Sequence, residues 1–309
     1  MPSIQSPLGA LPARFRRERV LIVGCGDVGL RAGRVLAGRV RLVALTSSPG
    51  KVPGLRAAGM TPVVGDLDQG QTLRRLAGIA TRVLHLAPPA REEGAQQWWR
   101  DARTTSLLRA LARRSLPAAL VYGSTSGVYG DCGGAVVTEA RPVRPHTPRA
   151  HRRVDAERAV RWFGRLGSAV RVLRIPGIYA PDREGGTPRE RLKKGTPVLR
   201  REDDVYTNHI HADDLARACV AALWRGGTQR VYHVSDDSGI LMGDYVDLAA
   251  DLYAMARPPR LARDEAQQQL PLQLLSFMGE SRRLDNTRMK RELRVRLRYP
   301  TVQTGLRER

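Results

Sequence analysis

The sequence predicts an α/β protein: a doubly wound parallel sheet followed by a smaller C-terminal lobe. Three observations carry the prediction. Short β-branched runs alternate with helix-period segments through the first half of the chain. A glycine-spaced turn separates the first run from the first helix. After Pro176 the alternation gives way to Gly-, Pro- and Arg-rich loops between short elements. With 309 residues the chain can bury a sizeable core without disulfides or metals.

Strands are expected at Arg19–Val23, Arg41–Leu45, Thr61–Val64, Arg82–Leu86 and Ala118–Tyr122, each an apolar run of strand length. Helices are expected between them, near Val28–Ala37, Val52–Ala58, Gln71–Leu76 and Ala95–Arg113. Right-handed crossovers then make the sheet doubly wound. A strong helix at Pro148–Leu166 leads into another strand, Ala169–Ile175. Beyond it come a loop-rich stretch (Pro181–Arg201), a helix at Asp213–Trp224, a short strand at Arg230–Val234 and a helix over Met242–Ala256. The Pro- and Gln-rich stretch Arg257–Leu274 reads as a mobile surface segment. The division that follows is a flexible arm over residues 1–18, a dinucleotide-binding domain over 19–175 and a substrate-binding lobe over 176–309. The last boundary is soft, because later elements can return to the sheet.

Composition narrows the function classes. No stretch is long and apolar enough to span a bilayer, and the first residues lack the apolar core of a cleaved signal. Cys25, Cys132 and Cys219 are odd in number and far apart, which suits a reducing, cytoplasmic setting and argues against a disulfide framework or a metal site. The formal charge of +22 would draw phosphates, but only Lys51, Lys193, Lys194 and Lys290 of the 52 basic residues are lysines. The arginines are scattered, with little aromatic interleaving for base stacking. That pattern reads as coding bias on a basic surface and argues against a nucleic-acid partner.

The most informative stretch is Val-Leu-Ile-Val-Gly24-Cys25-Gly26-Asp27-Val28-Gly29. In a Rossmann-type turn the first glycine permits the bend, the second lets backbone approach a pyrophosphate, and the third packs helix on strand. Backbone N–H groups at the helix start, around Asp27 and Val28, then receive the phosphate charge. An acid about 20 residues past the first glycine would bind a ribose 2′-hydroxyl and repel a 2′-phosphate. No Asp or Glu occurs between Asp27 and Asp66; the end of the second strand reads Thr46-Ser47-Ser48, with Lys51 and Arg56 close behind. Hydroxyls and a cation favour NADP, with NAD as the alternative. Asp66 and Leu67 follow the third strand, where a side chain can reach adenine, though Asp66 can equally cap the next helix. Leu86, Ala87 and Pro88 follow the fourth strand, under the cofactor. Pro176, ending a later strand, completes the expected cofactor set.

The chain resembles the extended short-chain dehydrogenase/reductases of the NAD-dependent epimerase/dehydratase type, from about Arg19 to Pro300. The resemblance rests on Val-Leu-His-Leu-Ala-Pro, Ser124-Thr125-Ser126-Gly127-Val128-Tyr129-Gly130, Leu173-Arg174-Ile175-Pro176-Gly177-Ile178-Tyr179 and Ile210-His211-Ala212-Asp213-Asp214-Leu215-Ala216. GxGxxG in place of the usual GxxGxxG points to an atypical branch. The resemblance implies a Ser or Thr after the fifth strand and a Tyr-x-x-x-Lys pair on the next long helix, whose lysine lowers the tyrosine pKa for proton exchange. Thr125 matches the first role. At the pair, the register places Arg149 at the tyrosine and Arg153 at the lysine. Arginine stays protonated and cannot be the usual acid or base. Arg153 is left a bond to the nicotinamide ribose, Arg149 an anion clamp. Tyr129, His146 and His151 are the candidate substitute proton donors, with water or a purely structural role for each as the alternatives. In the second lobe, Arg183, Asn208 and Arg283 fall where relatives hold substrate, while Asp213 or Asp214 caps a helix. The resemblance also implies a homodimer packed through two long helices. The expected function is an NADP-dependent oxidoreductase or epimerase-like enzyme on a polar, anionic small molecule. The alternative is a nucleotide-binding sensor that has lost the Tyr-x-x-x-Lys chemistry.

Overall fold

The computed structural model describes residues 18–90 and 97–307. All of the expected arm except Glu18, and the start of the helix expected from Ala95, lie outside the described residues. The sheet strands are β1 (Arg19–Val23), β2 (Arg41–Thr46), β3 (Thr61–Val64), β4 (Arg82–His85), β5 (Ala119–Thr125), β6 (Ala169–Ile175) and β7 (Arg230–His233). They form one sheet in the order β7-β6-β5-β4-β1-β2-β3, with every pairing parallel. From β1 the chain winds outward to β3, then crosses back to lay β4 on the other side of β1. The reversal opens a crevice at the C-terminal ends of β1 and β4, where doubly wound sheets bind ligands.

Val20, Leu21 and Ile22 have no exposed surface, as expected of a central parallel strand covered on both faces. One face is covered by α1 (Asp27–Leu36) and α5 (Ala212–Trp224), through Ala32, Leu36, Leu215 and Cys219. The other is covered by α3 (Ala102–Leu111) and α4 (Pro148–Gly164), through Leu107, Leu111, Val160 and Phe163. A short helix, α2 (Val52–Ala57), follows β2, and α6 (Met242–Leu252) belongs to the C-terminal lobe. β7 comes from beyond residue 176, so the lobe's chain returns to the sheet before finishing its own core.

Four differences from expectation have local causes. α3 starts at Ala102 because Asp101 caps it, its carboxylate accepting from the Thr104 amide at 3.3 Å. α5 is capped by His211 Nδ1, which accepts from the Asp213 amide at 3.2 Å; Asp213 and Asp214 are engaged elsewhere. The stretch expected to be mobile is built: Arg260–Leu261 pairs with Val198–Leu199, and helices follow at Arg263–Gln269 and Leu272–Met278. Ala266, Leu270, Leu274 and Met278 recur at helical spacing and pack over Leu199, Val205 and Met242. Finally, the arginines are not all on the surface, since Arg31, Arg153, Arg171 and Arg174 are buried. No helix among the described residues is long and apolar enough to cross a membrane.

Candidate functional site

The three motif glycines meet three different constraints. Gly24 has φ +95°, and a Cβ there would lie 2.8 Å from the Leu86 carbonyl carbon. The β1–α1 turn is therefore pressed against the exit of β4, where the Leu86 and Ala87 amides donate to the Val23 carbonyl at 2.7 and 3.1 Å. A Cβ on Gly29 would lie 2.6 Å from the Gly24 carbonyl oxygen, so helix and turn touch through backbone. A Cβ on Gly26 would meet nothing within 4 Å. Protein packing does not demand that glycine, which borders open space. Gly26 caps α1 without a side chain, leaving the first helical N–H groups free for an external acceptor.

Beside this turn lies a cleft of about 270 Å³. Nine expected cofactor residues line it: Gly24, Gly26, Thr46, Ser47, Lys51, Asp66, Leu67, Ala87 and Pro88. Val28 and Gly29 continue α1 beneath it, and Leu86 backs Gly24. Pro176 stands apart, half-buried beyond β6, whose last residue Ile175 is in register with Thr125. The exposed Lys51 has no ion pair among the described residues. Thr46 Oγ1 accepts from the Ser48 amide at 3.2 Å, shaping the β2 exit as a hydroxyl-lined turn. Asp66 Oδ1 accepts from the Asp68 amide at 3.0 Å, so its carboxylate closes a local turn at the rim. Burial pushes the Cys25 thiol up to about 12, against the pull of Lys51, so it is an uncharged wall. The sequence reading missed Arg103, which closes the cleft from α3 and is fixed by Asp68 at 2.7 and 2.5 Å. Its signal was the Asp101 cap, which sets the start of that helix.

The residues expected to do chemistry are arranged differently. Thr125 is half-buried at the end of β5, and its Oγ1 accepts from the Gly127 amide at 3.3 Å, leaving its hydrogen to donate. Tyr129 is 1% exposed, and its hydroxyl accepts from Arg174 at 2.6 Å and meets His233 Nε2 at 2.5 Å. It faces the interior, which corrects its reading as a proton donor to substrate. Burial raises its pKa, with Arg174 acting in the opposite direction. Arg174 also forks onto Glu157 at 3.1 and 2.8 Å, and Glu157 accepts from Ser124 at 2.6 Å. Arg153 is 6% exposed and donates to the Gly123 carbonyl at 2.6 Å and the Tyr122 hydroxyl at 3.0 Å. Its Nη1 therefore ties α4 to β5 instead of pointing to an open ribose site. Arg149 is exposed on the first turn of α4. Of the histidines, His151 packs edge-on against Trp98 at 5.0 Å.

The three expected substrate residues are not brought together. Arg183 pairs with Asp27 at 2.7 Å, beside the start of α1. Asn208 donates to the Arg282 carbonyl and accepts from the Leu284 amide, both at 2.8 Å, stitching two segments of the lobe. Arg283 donates to the Gly134 carbonyl at 2.9 Å and lies over the Tyr206 ring at 4.8 Å. Asn208 and Arg283 border a second cleft, also about 270 Å³, whose walls include Asp236, Asp237 and Asp285. Carboxylates, not an anion clamp, dominate there. Among the described residues no group of three His, Cys, Asp or Glu side chains could hold a metal ion.

The sequence profile of the NAD-dependent epimerase/dehydratase family matches residues 20–235. Comparison with curated proteins gives no match. Among solved structures, a functionally unknown conserved protein from Silicibacter pomeroyi is 28% identical, with a TM-score of 0.74 over 94% of this chain and 96% of that one. A UDP-glucose 4-epimerase from Thermotoga maritima, solved with UDP-glucose, is 18% identical, with a TM-score of 0.76 over 93% and 96%. A dTDP-glucose 4,6-dehydratase from Streptomyces venezuelae, solved with NAD, is 22% identical, with a TM-score of 0.73 over 93% and 94%. The last two share the fold.

Proposed function

The chain belongs to the NAD-dependent epimerase/dehydratase family, and from that premise we propose that it is an oxidoreductase or epimerase-like enzyme that prefers NADP. The observation that carries the preference is the β2 exit, where Thr46, Ser47, Ser48 and Lys51 line the cleft with no carboxylate among them. An ammonium and hydroxyls favour a 2′-phosphate, whereas the acid usual in NAD-selective sites would repel it. Gly26 and the start of α1 would hold the pyrophosphate, and Leu67, Ala87 and Pro88 the adenine-side walls. A bound nicotinamide supplies or accepts hydride. Thr125, with its hydrogen free to donate, would orient a substrate oxygen at the end of β5.

A second reading, dinucleotide binding without redox turnover, is favoured by one specific observation. The tyrosine and lysine positions carry arginines, and Tyr129, the nearest phenol in sequence, is committed to Arg174 and His233. Both readings share the cofactor site, which calorimetric titration of the protein with NADPH and NADH tests first. NADPH should bind more tightly, and Lys51→Glu should weaken it about 10- to 100-fold, as expected for losing a charge-assisted contact, while barely affecting NADH. Tighter NADH binding by the unmodified protein, or an unchanged ratio in the variant, would overturn the NADP preference. Hydride chemistry is then tested by following NADPH absorbance with carbonyl substrates. Consumption in the unmodified protein that Thr125→Val removes favours the enzyme over the sensor.

A further inference from the structure

The charge around the start of α1 is unexpected for a phosphate site. Asp27 places a carboxylate on the first helical residue, next to the open Gly26. Its Oδ1 accepts from Arg31 Nε at 2.9 Å and its Oδ2 from Arg183 Nη1 at 2.7 Å. Arg31 also donates to Asp213 at 2.6 Å and Asp182 at 2.7 Å. Two guanidiniums thus serve three carboxylates at the place where a diphosphate would approach, and the uncompensated charge is negative.

The two arginines are not equivalent. Arg31 is 4% exposed, and each of its three nitrogens is committed to a different carboxylate, so it holds the fold together and is too buried to reach a ligand. Arg183 is 29% exposed and engages Asp27 through Nη1. It arrives from the C-terminal lobe on a tight loop. The Arg183 amide donates to Ala180 at 3.2 Å, and the Gly186 amide returns to the Arg183 carbonyl at 2.9 Å. Its neighbour Asp182 is pinned by Arg31. The backbone of Arg183 is therefore fixed at the helix start, and Asp27 holds one edge of its guanidinium while other N–H groups remain for a second acceptor.

We propose that Arg183 is a cofactor residue: held by Asp27 over the start of α1, it donates to the pyrophosphate of the bound dinucleotide and clasps the C-terminal lobe onto the cofactor. This reassigns the arginine from the substrate role that its place in the sequence suggests, and it rests on the dinucleotide reading above. It also explains why a carboxylate is tolerated beside a phosphate: Asp27 orients the cation that offsets both charges.

The test is calorimetric titration of the full chain, unmodified and as Arg183→Ala and Arg183→Lys, with NADPH and with adenosine 2′-monophosphate, across a range of salt. The monophosphate carries the adenine, its ribose and the 2′-phosphate but neither phosphate of the pyrophosphate. Arg183→Ala should weaken NADPH about 10- to 100-fold and the monophosphate less than about 3-fold, with Arg183→Lys recovering part of the loss. The decline of NADPH affinity with salt should also become shallower in Arg183→Ala, because one phosphate-neutralising cation is gone. Unchanged NADPH affinity in Arg183→Ala, or an equal loss for both ligands, overturns the clasp alone. Failure of the unmodified protein to bind either dinucleotide overturns the function reading and the clasp together.

Discussion

At the ends of β1 to β3, Lys51 faces the cleft without an ion pair among the described residues, and a side chain on Gly26 would meet open space. Two strands away, beneath Thr125, polar groups are tied to one another: Ser124 to Glu157, Glu157 to Arg174, Arg174 to Tyr129, Tyr129 to His233. Both regions lie at one edge of one sheet. The first leaves Lys51 and the helix start uncommitted within the fold, and the second spends its capacity on the fold. A polar residue in an active-site motif can therefore be structural, and the deciding quantity is whether its donors and acceptors are already used. Burial agrees: Tyr129, Glu157 and Arg174 are each at most 5% exposed.

The sharpest way to break this comparison is Glu157→Ala. It would leave the Arg174 guanidinium buried without its partner and should cost about 3–5 kcal/mol of stability in chemical denaturation. NADPH affinity of the protein that remains folded should change less than about twofold, a few tenths of a kcal/mol. Preserved stability with lost affinity would show that the network belongs to the binding site after all. The cleft itself is probed by a pair of glycine variants. Gly26→Val should leave the melting temperature within about 1 °C, because its Cβ meets nothing, but weaken NADPH about 100-fold, or about 2.7 kcal/mol. Gly24→Ala should lower the melting temperature outright, since φ +95° and the Leu86 backbone both oppose a side chain. Equal effects in the two variants would erase the distinction between a glycine needed for a ligand and one needed for packing.

The readability of the sequence divides along the same line. β1, β3 and β6 have the bounds their apolar runs suggest, and the turn from Gly24 to Gly29 joins strand to helix where its spacing predicts. These are local signals: a strand, a turn and a helix start adjoin in sequence as they do in space. The network beneath Thr125 joins Ser124 to Glu157 across 33 residues and Tyr129 to His233 across 104, and nothing local marks such pairs. The same gap explains Arg183, which meets Asp27 across 156 residues. Arginine content misled for a related reason. A chain with so many arginines invites a surface explanation, yet Arg153 and Arg174 are buried because a β5 carbonyl, a carboxylate and tyrosine side chains satisfy them. Helical spacing at Ala266, Leu270, Leu274 and Met278 was legible but masked by the glutamines among them.

The second cleft supplies the smallest test, because it contains a carboxylate that neither region resembles. Asp236 is 6% exposed, and its Oδ1 accepts from the Ser238 amide at 3.1 Å. Burial outweighs that bond and pushes its pKa from 3.8 to about 7. Below pH 4 the group is protonated in both folded and unfolded chains and does not affect stability. Between about pH 4 and 7 the unfolded chain ionises while the folded one holds its proton, so stability falls as pH rises, and above pH 7 the penalty is constant. Asp236→Asn removes the charge while retaining an acceptor for Ser238. Its melting temperature should match the unmodified protein near pH 4 and exceed it by several degrees at pH 8. A gain independent of pH would show that Asp236 is ionised in the fold. The second cleft would then carry a charged wall and not a neutral one.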